Sequence, residues 1–297
     1  MNRFELPRTL VESLDMPYPD RDELRSWIAD LPRLVAESEA RWSIRVAGPF
    51  QPGGAVSYVT PASTASGALV VLKLGWLHEE SLHEPEALTL WDGDGAVRLI
   101  DSVRDRRTSS MLLEACRPGT RLADSALRPG EQDAVLAELL PRLWTEPPDL
   151  HPFRQLAEMC ALWAARFETR PASDSLDPGL ARAGVELFRE LPGAAARTTL
   201  LCTDIHPGNV LAAEREPWLA IDPKPYVGDP TYDALQHMLN FSERLESDPV
   251  AFSDRMAALL ELDVERLRQW LFARCVIESP DTPALARVAG VLARTVG

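Results

Sequence analysis

Residues 200–211 (LLCTDIHPGNVL) and 218–225 (WLAIDPKP) decide both the fold and the chemistry of this chain. Each begins with a short apolar run, which is typical of a buried strand, and each run is followed by an acidic residue, Asp204 or Asp222. Asn209 follows Asp204 in a D-x4-N spacing. We therefore expect two carboxylates and a carboxamide to converge at the mouth of one hairpin-like unit. Such oxygen donors suit Mg²⁺ and leave one acid able to accept a proton.

The composition of the 297 residues, 45% hydrophobic and 26% charged, is that of an ordinary globular protein. The formal net charge is −14 and no block is rich in Lys or Arg, so nucleic acid is not an expected partner. The negative charge would attract a cationic substrate, although such charge more often serves solubility. The four cysteines form no C-x-x-C pair, and no run approaches ~18 apolar residues. We therefore expect a cytoplasmic protein with no membrane partner, zinc site or disulfide framework.

Alternating apolar and polar residues predict an antiparallel sheet in the first part of the chain. Residues 43–75 alternate, and turn-rich stretches at 51–55 and 61–67 divide them into three strands. Residues 96–101 and 109–114 predict two more strands.

Helical patterns flank this sheet. A leader helix is predicted over 20–42, with a break near Pro32, and a short helix over 83–91. Further helices are predicted at 131–143, 153–167, 178–191, 232–244, 253–260, 264–277 and 282–295. The sequence thus predicts an α+β protein of two lobes: a small antiparallel-sheet N-terminal lobe with its leader helix (1–115), a hinge (116–120) and a mainly helical C-terminal lobe (121–297).

Lys73 lies in an otherwise apolar predicted strand, where its ammonium must reach water or meet a carboxylate. It can be a solvated edge residue, or it can bind nucleotide phosphates while a glutamate of the next helix holds it. That helix offers Glu84 and Glu86, which point to different faces, and the offset from the predicted core positions favours Glu84. Gly53 and Gly54 can let backbone amides approach a phosphate, or they can be turn residues alone.

The spacing of Asp204 and Asn209 fits a catalytic loop in which the aspartate accepts a hydroxyl proton and the carboxamide oxygen binds Mg²⁺. Asp222, at a later strand end, fits the second metal ligand. Phosphoryl transfer needs little covalent help, so positioning and neutralising the triphosphate dominate. Lys73 would then contact the α- and β-phosphates of ATP, and the backbone from Glu114 to Cys116 would meet the adenine.

The stretches 201–209 (LCTDIHPGN) and 220–233 (AIDPKPYVGDPTYD) resemble the aminoglycoside phosphotransferases, and the second is most similar to their streptomycin 6-kinase and hydroxyurea phosphotransferase branch. The similarity extends to 72–76 (LKLGW), 90–99 (LWDGDGAVRL) and 112–114 (LLE), and so covers nearly the whole chain. The resemblance implies a protein-kinase-like fold and an enzyme that uses ATP and magnesium to phosphorylate a small-molecule hydroxyl.

The resemblance also implies roles for single residues. Asp204 corresponds to the base, Asn209 and Asp222 correspond to the metal ligands. Lys73 corresponds to the lysine on the nucleotide phosphates. The expected partner is a small cationic molecule such as an aminoglycoside, whose phosphorylation inactivates the antibiotic. The sequence departs from protein kinases at Cys202, which stands where their catalytic-loop histidine would be. DPK also replaces D-F-G, so no activation-loop switch is expected.

Four further residues have two interpretations each. His206 can contact substrate or phosphate, or it can structure the loop, and we favour the second. Lys224 can contact phosphate or pair with a nearby carboxylate. Asp229 and Asp233 can face the substrate or fix the turn into the next helix, and for Asp233 we favour the structural role.

Three functions are compatible with these residues. The leading hypothesis is a streptomycin 6-kinase-like O-phosphotransferase, with a hydroxyurea-like metabolite as the alternative acceptor. The second is a non-catalytic ATP-binding relative, against which the full set of catalytic side-chain types argues. The third is a metal-dependent hydrolase that uses Asp204, His206 and Asp222, and it leaves Lys73 unexplained.

Overall fold

The computed structural model describes residues 4–15, 20–170 and 176–296, and the chain divides into two compact units. The first unit contains Met1–Gly119 and Ala213–Pro217, and the second contains Thr120–Ala212 and Trp218–Gly297. The chain therefore leaves the first unit after Gly119, and a short later turn also groups with that unit. No helix among the described residues is long and apolar enough to cross a membrane.

The first unit contains a five-stranded antiparallel sheet, as the alternating pattern predicts. Its order is β1-β2-β3-β5-β4, and its strands are β1 (Ile44–Val46), β2 (Ser57–Thr64), β3 (Leu69–Trp76), β4 (Leu99–Arg104) and β5 (Thr108–Glu114). The predicted turn at 61–67 is wrong in its first half, because residues 61–64 continue β2. Pro61 fits within this strand because its carbonyl accepts a hydrogen bond from the N–H of Ala47, and the carbonyl is the backbone group that proline retains.

The described part of the first unit contains three α-helices: α1 (Arg8–Glu12), α2 (Arg21–Trp42) and α3 (Glu84–Trp91). The predicted break of the leader helix near Pro32 is wrong, because α2 continues through this residue. Pro32 lies on the exposed face of α2, so its ring does not disturb the packed face. The opposite face of α2 is apolar and buried, and Trp27 on that face donates to the Thr108 hydroxyl at 3.1 Å. Packing of this face keeps the helix in one piece.

The second unit is mainly helical. Its helices are α4 (Pro129–Leu143), α5 (Leu156–Glu168), α6 (Pro178–Glu190), α7 (Leu235–Asn240), α8 (Ser242–Ser247), α9 (Pro249–Leu260), α10 (Val264–Glu278) and α11 (Ala284–Leu292). The predicted helix at 232–244 is wrong as a single element. A 3-10 turn at Pro230–Ala234 precedes α7, and the chain leaves the helical conformation at Phe241 before α8 begins.

Short strands of the second unit carry the two acidic residues of the opening motif. They are β6 (Arg154–Gln155), β7 (Thr199–Leu201), β8 (Val210–Ala212), β9 (Trp218–Ala220) and β10 (Tyr226–Gly228). The prediction of one hairpin-like unit is wrong, because β7 pairs with β10 whereas β9 pairs with β8. A backbone hydrogen bond of 2.9 Å from Lys224 to the carbonyl of Cys202 connects the two places where the acids emerge.

Candidate active site

Lys73 lies on the central strand β3, and its ammonium contacts both carboxylate oxygens of Glu84, at 2.6 and 2.7 Å. Only 6% of Lys73 and 4% of Glu84 are exposed. A buried ammonium needs such a partner, because an uncompensated charge in the interior is strongly destabilising. Glu84 is the first residue of α3, where the helix dipole also favours a carboxylate. Glu86 instead binds Arg104 at 2.8 Å, so the structure selects the pairing that the spacing favours.

Gly53 and Gly54 lie in the loop between β1 and β2, and the space beside each is already filled by the protein. A Cβ atom on Gly53 would lie 2.4 Å from Cβ of Pro7, and one on Gly54 would lie 2.3 Å from Oγ of Ser57. Gly53 also has a φ of +80°, which glycine adopts without strain. These contacts account for both glycines as packing and turn residues, and their contact with phosphate stays a prediction.

Glu114 ends β5, next to the predicted hinge. Its carboxylate binds Arg215 at 2.7 Å and accepts the N–H of Arg98 at 2.7 Å. Burial would raise the pKa of Glu114, but these two donors outweigh burial and the net pKa is lowered. Burial raises the pKa of the Cys116 thiol to about 11, so the thiol keeps its proton at neutral pH. The contact of this backbone with the adenine stays a prediction.

Asp233 organises the start of the predicted catalytic loop in the second unit. It is 0% exposed, and its carboxylate accepts the N–H groups of Cys202 at 2.9 Å and Thr203 at 2.5 Å. The indole N–H of Trp144 is a third donor, at 3.0 Å. Burial raises the pKa of Asp233 to about 6, although all three donors oppose this shift. The structure therefore supports the structural role that the sequence analysis favours for Asp233. Its alternative role as a substrate-facing residue is corrected, because its buried oxygens already accept hydrogen bonds from the protein.

Asp204 follows directly after the two anchored backbone groups. Its carboxylate is 3.3 Å from the ammonium of Lys224, and Asn209 donates its side-chain N–H to the Asp204 carbonyl at 3.0 Å. Burial raises the pKa of Asp204; Lys224 lowers it and the nearby charge of Asp222 raises it, leaving the pKa above its ordinary value. The arrangement holds an ionisable carboxylate with a basic character stronger than that of an exposed aspartate.

Asn209 and Asp222 are the predicted metal ligands, and β8 and β9 bring them to the same end of a hairpin. The N–H of Ile221 donates to the Asn209 carbonyl at 2.9 Å, which places Asp222 next to this pair. Because the amide nitrogen of Asn209 faces Asp204, its Oδ1 points the other way. One carboxylate and one amide oxygen fit Mg²⁺, which usually takes few protein ligands together with substrate phosphates.

His206 lies inside the same loop and shapes it. Its Nδ1 accepts the N–H of Gly208 at 3.1 Å, so the proton of the neutral ring resides on Nε2. Burial lowers the pKa of His206, which favours the neutral form. A Cβ on Gly208 would lie 2.7 Å from Cε1 of this ring, so the glycine is needed beside the imidazole. These contacts support the loop-structuring interpretation.

Asp229 is placed in the interior rather than at a substrate surface. It is 3% exposed, and one carboxylate oxygen accepts from Arg266 at 2.7 Å and from the indole of Trp270 at 2.6 Å. The other oxygen accepts the N–H of Thr231 at 3.0 Å. The substrate-facing interpretation of Asp229 is corrected accordingly, because its oxygens anchor the turn before α7 to α10.

Two residues that support the site are absent from the sequence-based candidates. Trp144 is 89 residues from Asp233, and Arg215 is 101 residues from Glu114. No local periodicity links partners so far apart. Trp144 follows a helix with an apolar face and has the sequence pattern of an ordinary core residue. Arg215 lies in a polar turn, where an arginine is common and gives no signal of a special role.

Comparison with known proteins relates the chain to antibiotic-modifying kinases. A family model described as aminoglycoside/hydroxyurea antibiotic resistance kinase matches residues 41–280. A streptomycin 6-kinase of Streptomyces griseus is 40% identical over 289 residues, covering 92% of this chain and 89% of that protein. A hydroxyurea phosphotransferase of Kitasatospora aureofaciens is 38% identical over 280 residues, covering 92% and 78%.

A solved structure supports the fold. An aminoglycoside phosphotransferase of Streptomyces rimosus, in complex with ADP and streptomycin, matches with a TM-score of 0.53 at 17% identity, over 84% of this chain and 98% of that chain. At this identity the match establishes the fold, which is the protein-kinase-like α+β fold that the sequence predicts.

Proposed function

The chain belongs to the aminoglycoside/hydroxyurea antibiotic resistance kinase family, and we propose that it transfers the γ-phosphate of ATP to a hydroxyl of a streptomycin-type aminoglycoside. The observation that carries the proposal is the loop around Asp204, where a mostly buried carboxylate lies 3.3 Å from a lysine and beside a fixed carboxamide. The acceptor is supported by two relatives named streptomycin 6-kinase, at 40% and 38% identity. Phosphorylation would inactivate the antibiotic.

Asp204 acts as the general base and accepts the proton of the acceptor hydroxyl. Its raised pKa strengthens the carboxylate as a proton acceptor, and the ammonium of Lys224 favours the ionised form from which the reaction starts. Asn209 and Asp222 would hold Mg²⁺, which neutralises phosphate charge when it is bound. The anchoring of the loop by Asp233 keeps the base at a fixed place, and fixed geometry is the main catalytic requirement of phosphoryl transfer.

Lys73 contacts the α- and β-phosphates of ATP in this proposal. Glu84 holds the ammonium in place, so little conformational entropy is lost when phosphate binds. In this proposal the backbone between Glu114 and Cys116 would meet the adenine, and the loop that contains Gly53 and Gly54 would lie towards the phosphates.

A cationic acceptor agrees with the net charge of −14. Because Asp229 and Asp233 are buried and engaged, the attraction comes from exposed carboxylates rather than from this pair. The charge acts over distance and raises the rate of encounter with a cation.

Purified protein should release ADP when Mg²⁺, ATP and streptomycin are all present, and the antibiotic should gain one phosphate by mass spectrometry. A parallel panel of other aminoglycosides and hydroxyurea identifies the acceptor. Transfer to hydroxyurea alone would favour the alternative acceptor, in line with the hydroxyurea phosphotransferase at 38% identity. ATP binding without transfer to any acceptor would favour the non-catalytic alternative. Hydrolysis of a tested compound in the absence of ATP would favour the metal-dependent hydrolase.

A further inference from the structure

Residues 4–9, here called the N-terminal segment, lie against the loop between β1 and β2. This loop (residues 47–56), here called the glycine loop, contains no helix or strand of its own. The ring of Phe4 stacks on that of Tyr58, with centroids 5.3 Å apart, just after the loop. Within the first unit, the N-terminal segment therefore contacts the sheet at the point where the glycine loop enters β2.

Backbone and side-chain hydrogen bonds tie the N-terminal segment to the glycine loop. The N–H of Arg8 donates to Oε1 of Gln51 at 3.0 Å, and the N–H of Thr9 donates to the carbonyl of Pro52 at 2.9 Å. The side-chain amide of Gln51 also donates to the carbonyl of Leu6 at 3.4 Å. The N-terminal segment thus both donates hydrogen bonds to the glycine loop and accepts hydrogen bonds from it, so the conformation of each depends on the other.

The contact between Pro7 and Gly53 is the closest part of this arrangement. A Cβ on Gly53 would lie 2.4 Å from Cβ and 3.1 Å from Cγ of Pro7. A separation of 2.4 Å lies far inside the van der Waals contact distance of two carbon atoms, so any other residue at Gly53 would displace the proline or the loop. The glycine is therefore required by the N-terminal segment.

The glycine loop is also connected to the lysine of the nucleotide site. The N–H of Phe50 donates to the carbonyl of Val59 at 2.9 Å, and Val59 lies opposite Lys73 in the register of β2 and β3. A change in the loop therefore acts on a strand that neighbours the phosphate-binding ammonium.

We propose that the N-terminal segment is a positioning element for the nucleotide, which holds the glycine loop in its binding conformation through Pro7 and Gln51. This inference rests on the proposed ATP-dependent function. A loop that is ordered before binding loses less conformational entropy when the triphosphate arrives. The effect is therefore expected on the affinity for ATP and not on the affinity for the acceptor.

The first test compares Gln51→Ala and Pro7→Gly with the wild-type chain. The KM for ATP should rise ~3- to 10-fold, the size expected for the loss of one or two hydrogen bonds in Gln51→Ala and of the packing contact in Pro7→Gly. The kcat and the KM for the acceptor should stay within ~2-fold. A direct titration with a fluorescent ATP analogue should show the same loss. Equal changes for ATP and acceptor, or no change for either, would overturn the inference.

The second test asks whether Gly53 is glycine because of Pro7. Gly53→Ala and Pro7→Gly are made singly and together, and Gly67→Ala serves as the control. Gly67 has a φ of +84° and no neighbouring atom within 4 Å, so it reports the cost of positive φ alone. Gly53→Ala should weaken ATP binding more than Gly67→Ala, and Pro7→Gly should remove much of that excess.

If the factors by which Gly53→Ala and Pro7→Gly weaken ATP binding simply multiply in the double variant, the two residues act independently. That result would contradict their proposed coupling. Thermal unfolding of every variant separates loss of fold from loss of affinity, and the exposed Gln51 carries little risk to folding. If the wild-type chain binds no ATP, the proposed function fails and the inference falls with it. If the wild-type chain transfers phosphate and the variants match it, only the inference fails.

Discussion

At the scale of single residues, Asp204 is controlled by opposing electrostatic influences. Burial raises its pKa most, the ammonium of Lys224 lowers it, and the charge of Asp222 raises it again. Different neighbours also fix the position of the residue. Lys224 lies 3.3 Å from the carboxylate of Asp204, and the carboxamide of Asn209 holds its backbone carbonyl. The position and the protonation of one oxygen pair are thus set by separate neighbours, which can be altered one at a time.

Replacement of the base should remove turnover and leave nucleotide binding in place. For Asp204→Asn we expect kcat to fall ~10²- to 10⁴-fold, the range usual for loss of a general base. The dissociation constant for ATP, measured by calorimetry, should change little because the nucleotide is assigned to other residues. Glu158→Gln is the control, since Glu158 is an exposed carboxylate of the same unit. Unchanged turnover in Asp204→Asn would refute the assignment of the base.

The pH profile should report the influence of Lys224. As the proposed base, Asp204 must be ionised to accept the hydroxyl proton, so kcat/KM should fall as the pH falls through the pKa of this carboxyl group. Because Lys224 lowers that pKa, Lys224→Met should raise it and move the acidic loss of activity to higher pH. Lys224→Arg keeps the positive charge and should leave the acidic limb closer to the wild type. If kcat/KM falls over the same acidic pH range in Lys224→Met and Lys224→Arg, the positive charge of Lys224 does not set the pKa of Asp204.

At the scale of secondary-structure elements, periodicity predicts what a strand or helix buries but not which strands pair. The apolar run around Lys73 and the offset of Glu84 predict their contact, because both follow from side-chain direction within one element. The apolar runs before Asp204 and Asp222 predict one shared hairpin, yet β7 pairs with β10 and β9 pairs with β8. Runs of three residues carry too little pattern to select a partner, since tertiary packing decides their pairing.

The ion pair between Lys73 on β3 and Glu84 on α3 can be tested against a second ion pair of α3 as a control. Glu84→Gln removes the charge that both short contacts of Lys73 use, and we expect a loss of ~3 kcal/mol in unfolding free energy, as for other broken buried ion pairs. Glu86→Gln breaks the Arg104 pair, whose side chains are about one third exposed, and should cost about 1 kcal/mol or less. The midpoint of urea denaturation and the KM for ATP measure both effects. Equal losses in the two variants would contradict the assigned role of Glu84.

At the scale of the whole molecule, distant parts of the sequence determine the site. The carboxylate of Asp233 collects donors from Trp144 and from the start of the catalytic loop, and these partners are separated by up to 89 residues. Sequence motifs predict the base and one metal ligand, Asp204 and Asn209, because their spacing lies within one loop, and they predict the other ligand, Asp222, from its place after a short apolar run. They do not identify supporting residues such as Trp144, because burial of a large apolar side chain is common to every core.

The net charge of −14 gives a prediction for the whole molecule, namely that salt should distinguish a cationic acceptor from a neutral one. Exposed carboxylates attract a cation over distances that ions screen, since the screening length falls from about 10 Å at 0.1 M salt to about 3 Å at 1 M. The kcat/KM for streptomycin should therefore fall severalfold between these salt concentrations, in the direction expected for electrostatic steering. The kcat/KM for hydroxyurea, measured at saturating ATP, should change much less because a neutral molecule is not steered. A parallel decline for both acceptors would mean that salt acts on the protein or on ATP, and that the acidic surface does not select cations.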